Sequence, residues 1–173
     1  RSGIDESEVT FLPYLSGERT PHNNPNASGM FFGLKNSTSR AHMTLAVLEG
    51  VAFSFADGYS ALAAARTPIN DITLIGGGAN SPRWRQLLSD VLERHMTFRD
   101  GGEVGPALGA ARLAQLSEHF QLPVDDFNKK VAAICKPPRV VDTHQPEHDK
   151  KAYYSDKLAR YRQLYQQTFH LMN

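Results

Sequence analysis

Asp71-Ile72-Thr73-Leu74-Ile75-Gly76-Gly77-Gly78-Ala79-Asn80-Ser81-Pro82 is the stretch on which the fold turns. Its apolar, β-branched run predicts a buried strand, and the run ends directly in three glycines. Ser81 then stands as an N-cap and Pro82 as the first residue of a helix carrying Trp84, Leu87, Leu88, Val91 and Leu92. In open α/β sheets, ligands gather at the carboxyl ends of strands, where these glycines fall. Glycines let a backbone come close to a ligand, and a helix N-terminus presents free N–H groups and a positive dipole end to phosphate. The same residues also fit a plain strand-to-helix turn, and on their own they leave both readings open. They form neither a Walker A loop, which needs a following Gly-Lys-Ser/Thr, nor a dinucleotide fingerprint.

On the C-terminal side, Met96-Thr97-Phe98 predicts a second strand and Gly101-Gly102-Glu103-Val104-Gly105 a turn. A helix follows from Pro106 to about His119. Gly101 and Gly102 end that strand and are placed to line the same cleft, whereas Gly105 and Gly109, four apart, suggest close packing of the helix on a neighbour. On the N-terminal side, Asn36-Ser37-Thr38-Ser39 offers N-caps for a helix to about Arg66. Its apolar residues, among them Met43, Val47, Val51, Phe55, Tyr59 and Leu62, cover nearly every side, which predicts burial between two layers or two domains. Glu49 and Asp57 lie inside this helix and are expected to be paired, structural charges. Helix, strand, helix, strand, helix argues for an α/β layer with parallel strands.

The flanks are less regular. Residues 1–28 predict a long ordered loop, with Pro13 arguing against a strand there, and 29–34 a short extended piece. Residues 121–145 look irregular apart from a short helix near Asp126–Ile134, and Pro146 opens a last helix to about Met172. Its stripe of Tyr154, Leu158, Tyr161, Tyr165, Phe169 and Met172 reads as a packing face. The chain thus divides into a loop region at 1–39, a ligand-binding core at 40–120 and a C-terminal segment at 121–173.

The 173 residues carry 19 basic and 18 acidic side chains, a balance that attracts neither nucleic acid nor an anionic membrane. Lys136, Arg139, Lys150, Lys151, Lys157, Arg160 and Arg162 are interleaved with acids and predict a solvated face. Cys135 is the sole cysteine, which excludes an internal disulfide and suits a reducing compartment. No uninterrupted apolar run approaches the ~20 residues of a membrane span, and no signal peptide opens the chain, so a cytoplasmic location is expected. The chain starts at Arg1 rather than at methionine, and the expectation is that an upstream part has been removed. His144 and His148 are four apart, but Pro146 between them argues against a helical ligand pair. No zinc spacing and no Gly-x-Ser-x-Gly is present, so neither a metal ligand nor a catalytic residue is expected in this stretch.

Gly29-Met30-Phe31-Phe32-Gly33-Leu34, seven residues, then His42-Met43-Thr44-Leu45-Ala46-Val47-Leu48-Glu49 resembles the C-terminal signature of the FGGY carbohydrate kinases. Ile75 to Ser81, followed by Gln86 and Ser89-Asp90, is similar to that family's adenosine-binding segment, and Pro106 to Ala111 to its following helix. Within the family, Phe11-Leu12-Pro13-Tyr14-Leu15-Ser16-Gly17-Glu18-Arg19-Thr20-Pro21-His22 is similar to the xylulokinase branch; gluconokinases carry a related Gly-Glu-Arg-x-Pro.

The resemblance implies the C-terminal part of a ribonuclease H-like, actin-like ATPase domain, with the last helix packing back on it. It implies transfer of the γ-phosphoryl of ATP, with Mg²⁺, to D-xylulose. ATP would lie along Gly77, Gly78, Asn80 and Ser81. The family's catalytic aspartate sits upstream of this region, and Asp57-Gly58 does not match its Gly-Asp-Gln/Asn motif. The expected partners are ATP, a pentulose, the N-terminal domain of the same enzyme and a second copy in a homodimer. The fragment alone is expected to be inactive and to self-associate through an apolar patch. Other readings are a gluconokinase, a ribulokinase, a non-catalytic actin-like nucleotide-binding module, or a helical interaction domain with an incidental glycine turn.

Overall fold

The structure is a computed structural model and describes residues 6–102 and 105–172. Glu103, singled out above within the second glycine cluster, lies outside the described residues. The elements are β1 (Thr10–Leu12), β2 (Met30–Phe32), α1 (Arg40–Ala64), β3 (Thr73–Leu74), α2 (Pro82–Leu92), β4 (Met96–Arg99), α3 (Gly105–Ser117), α4 (Val124–Ile134), β5 (Val140–His144) and α5 (Lys151–Thr168).

Of the N-cap candidates, Ser39 takes the role. Its Oγ accepts from the His42 backbone N–H, and His42 Nδ1 accepts from the Ser39 N–H, a reciprocal capping box. The helix it starts is a core element. Leu45, Ala52, Phe53 and Ala56 are buried, and β1 crosses so closely at Gly50 that a Cβ there would lie 2.3 Å from the Phe11 carbonyl oxygen. By length and composition α1 would be apolar enough to cross a membrane. Its buried Glu49 and Asp57, each paired with a cation from α5, mark it instead as the centre of a packed domain. The burial expected on every side holds only in part: Phe55 and Leu62 are more than half exposed.

The sheet has the order β3-β4-β5. β3 and β4 are parallel, with Thr73 opposite Thr97 and Leu74 opposite Phe98, as the alternation of elements requires. β5 adds antiparallel to β4, with Thr97 opposite Thr143 and Phe98 opposite Asp142. That strand corrects the irregular reading of 121–145; Val140-Val141 carried the β signal, but the flanking prolines and charges masked it. A second correction is β1, which pairs antiparallel with β2 through Phe11 and Phe31 despite the adjacent Pro13. Pro13 lies just beyond the strand's end, so no ladder bond is lost.

α5 packs back on α1, α2 and β1. Tyr154, Tyr161, Leu164 and Tyr165 are buried, and the Tyr161 hydroxyl donates to Tyr14 Oη at 2.7 Å. Burial pushes both phenols well above their ordinary range. Lys157 corrects the solvated-face reading. Its Nζ is buried among Glu49, the Ser7 carbonyl and Tyr153 Oη. Burial raises the Glu49 carboxyl and lowers the Lys157 amine, and the pairing opposes both shifts.

Candidate functional site

β3 ends at Leu74, and the chain turns at Gly76, whose φ of 86° is a conformation that favours glycine. Gly77–Asn80 form one 3₁₀ turn, closed by the Ala79 N–H donating to Gly76 O at 3.0 Å and the Ser81 N–H donating to Gly78 O at 3.1 Å. Ser81 caps α2 as expected, its Oγ accepting from the Trp84 N–H at 3.3 Å, with Pro82 in the first turn. The four residues named from the sequence, Gly77, Gly78, Asn80 and Ser81, therefore come together on one exposed turn at a helix N-terminus. The second glycine cluster joins them: the Gly76 N–H donates to Gly102 O at 3.1 Å.

The three glycines do not serve the fold equally. Gly76 is required by its backbone angle. A Cβ on Gly78 would meet Trp84 Nε1 at 3.4 Å. A Cβ on Gly77 would meet nothing within 4 Å, and its φ is not positive. Among the described residues, neither conformation nor packing calls for glycine at position 77. Gly105 packs as expected, since a Cβ there would lie 3.2 Å from Ile75 Cδ1, but Gly109 does not: among the described residues a Cβ there would meet nothing within 4 Å, and no described residue of α3 is buried.

Arg85 was not singled out from the sequence. It is 5% exposed and reaches back under the turn, where Nη1 donates to the Ala79 carbonyl at 2.7 Å. Its Nε donates to His144 Nε2 at 3.0 Å, its Nη2 to Asp142 Oδ2 at 2.6 Å, and its guanidinium carbon lies 4.4 Å from the Phe98 ring centroid. The guanidinium holds the Asp142 carboxyl below its ordinary range. A cation inside the stripe of Trp84, Leu87, Leu88 and Val91 was the available signal. Gln86, Ser89 and Asp90, grouped above with the adenosine segment, instead bind the β5–α5 connection: Gln86 donates to Gln145 O, Ser89 to His144 O, and Asp90 accepts from the Glu147 N–H. Burial raises the Asp90 carboxyl against these bonds.

A groove of about 1070 Å³ lies elsewhere, between α1 (Val51, Phe55, Leu62), Ile72 with β3 (Thr73, Leu74) and the 13–20 loop. None of the four turn residues lines it. Among the described residues, no three His, Cys, Asp or Glu side chains converge to hold a metal ion.

A glycine turn between a parallel strand and a capped helix, backed by a mixed sheet and long packed helices, places the chain among mixed α/β domains. The model of the FGGY family of carbohydrate kinases, C-terminal domain, matches residues 2–118. The xylulose kinase of Escherichia coli (strain K12) is 44% identical over 170 residues, covering 97% of this chain and 34% of that protein. The gluconokinase of Bacillus subtilis (strain 168) is 40% identical over 106 residues, covering 61% of this chain and 20% of that protein. Among solved structures, a xyloylose kinase from Brucella ovis superposes with a TM-score of 0.80 at 39% identity, covering 94% of this chain and 32% of that one. The chain belongs to the FGGY family of carbohydrate kinases, and it spans about a third of the length of the xylulose kinase it matches.

Proposed function

We propose that this chain is the ATP-binding part of a xylulokinase, which transfers the γ-phosphoryl of ATP to D-xylulose to give D-xylulose 5-phosphate. The observation that carries the reading is the exposed turn itself: Gly77, Gly78, Asn80 and Ser81 come together at the N-terminus of α2, and among the described residues neither backbone angle nor a neighbour within 4 Å requires glycine at 77. A ligand lying against the backbone supplies the missing reason. In this reading the exposed turn Gly77–Asn80 runs along the nucleotide. The Ser81 hydroxyl, whose oxygen accepts from Trp84 N–H, retains its proton to donate to the ligand. The positive end of α2 favours the phosphates. The fold proposed for the whole domain is ribonuclease H-like.

Phosphoryl transfer rests on positioning and on charge stabilisation around the γ-phosphate. Among the described residues no three His, Cys, Asp or Glu side chains converge, so no step through magnesium is assigned to them. Asp57, bonded to Arg162 at 2.6 Å, is a structural charge rather than a base for the sugar hydroxyl. The catalytic groups are therefore proposed to belong to other parts of a longer chain. That longer chain would also cover the groove along the open face of α1 and the free edge of β3.

A coupled assay of the full-length protein over pentuloses, gluconate and glycerol tests the assignment. The expected result is ATP-dependent turnover with a preference for D-xylulose, and no sugar-dependent turnover by residues 1–173 alone. A preference for gluconate would move the protein to the gluconokinases, whose B. subtilis member matches 40% of aligned residues. Absence of any sugar-dependent ATP turnover would overturn the kinase reading.

A further inference from the structure

The Gly76–Asn80 turn poses a physical problem. A loop with three consecutive glycines has more conformations to lose than any other, so a fixed presentation of its N–H groups needs an anchor. Two of its own hydrogen bonds and the bond to Gly102 O close it locally. Among the described residues, the side-chain bond to its backbone comes from Arg85.

We propose that Arg85, held by Asp142 and His144 of β5, is a positioning residue for the nucleotide turn. The proposal rests on the reading of that turn as an ATP site. The guanidinium spends its planar fork on three separate acceptors: Ala79 O in the turn, His144 Nε2 and Asp142 Oδ2 in the strand. His144 Nε2 is an acceptor here, so its proton is on Nδ1, which lies 3.0 Å from Gln86 Oε1 and donates to it. Phe98 lies against the guanidinium, and the cation–π contact favours this position of the side chain. Arg85 is nine-tenths buried and always charged, so its acceptors cannot be removed without leaving a buried cation short of partners. The consequence is that the antiparallel strand β5, far along the chain, sets the shape of a loop sixty residues earlier. Arg85 touches no substrate; it acts through the Ala79 carbonyl, and the neighbouring backbone meets the ligand.

The test uses the full-length enzyme. Arg85→Lys keeps the charge but loses the fork, and the KM for ATP should rise about tenfold, the equivalent of one lost charge-assisted bond, with kcat and the sugar KM within about twofold. Asp142→Ala should raise the ATP KM by about fivefold, and Asp142→Asn, which keeps an acceptor oxygen, by less. Gly77→Val serves as the control for the site itself. Parental ATP KM in folded Arg85→Lys and Asp142→Ala, with a raised KM in Gly77→Val, would overturn the positioning role and leave the ATP turn standing. Parental KM in all three would remove the ATP reading and this proposal with it. An equal rise in the ATP and sugar KM values would make Arg85 a general structural residue and also overturn the proposal. If Arg85→Lys fails to fold, Asp142→Ala decides by the same readout, because the Asp142 side chain is 43% exposed and water can take its place at Arg85 Nη2.

Discussion

The α1–α5 interface and the β3–α2 turn both bury charge, and they use it differently. Between the helices, Glu49 meets Lys157 and Asp57 meets Arg162, and Lys157 also donates to the Ser7 carbonyl in the N-terminal segment. At the turn, the buried cation Arg85 binds the carbonyl of a loop whose Gly77 and Gly78 stay exposed. The first arrangement fixes how two elements pack. The second fixes the shape of a loop whose outer surface remains available. Residues of the first kind should therefore report in stability, and residues of the second in ligand affinity.

The sharpest way to break this contrast is Lys157→Met. It leaves the Glu49 carboxylate, 1% exposed, without its cation, at a cost of about 3–5 kcal/mol. Denaturant unfolding of the full-length protein reads the loss, and the nucleotide affinity of the folded protein should stay within about twofold. A cost near zero would mean that Glu49 takes up a proton and needs no partner. Ser81→Ala lies between the two regions. It should lower stability by about 1 kcal/mol through loss of the cap and weaken nucleotide binding by about fivefold through loss of a hydroxyl donor. A stability loss with unchanged affinity would confine Ser81 to capping.

The smallest effect is in pH. The Arg85 guanidinium lowers the Asp142 carboxyl in the folded state, so the stability it contributes is present above the unfolded carboxylate value and is lost as the pH falls through the lower, folded one. A carbon-detected titration of Asp142 should give a midpoint below the ordinary aspartate range, and an ordinary or raised midpoint would mean that the Arg85 contact is not kept in solution.

Much of this was legible in the sequence because local chemistry and tertiary structure agree there. Ser81-Pro82 predicts an N-cap and a first helical proline, and both are found. Glu49 and Asp57 stood out as charges in an apolar helix, and the pairing expected of them is present. What failed depends on distant partners. Lys157 reads as a surface residue because its acid lies 108 positions away. Val140–His144 has a strand's residue types, but only pairing with β4 makes it a strand. Arg85 is silent in sequence for the same reason: its acceptors Asp142 and His144 come from β5. Gly109 was assigned to packing by spacing alone, and spacing does not say whether a neighbour is there.

The most direct test is titration of a non-hydrolysable ATP analogue into full-length protein carrying Gly77→Val, beside the parent and with the melting temperature of each. Among the described residues a Cβ at 77 meets nothing within 4 Å, so the fold should tolerate it. The expected result is a melting temperature within about 2 °C of the parent and an affinity reduced at least about tenfold, because a side chain occupies the ligand's place. Unchanged affinity in a folded variant would contradict it and leave Gly76–Asn80 a plain turn between a strand and a helix.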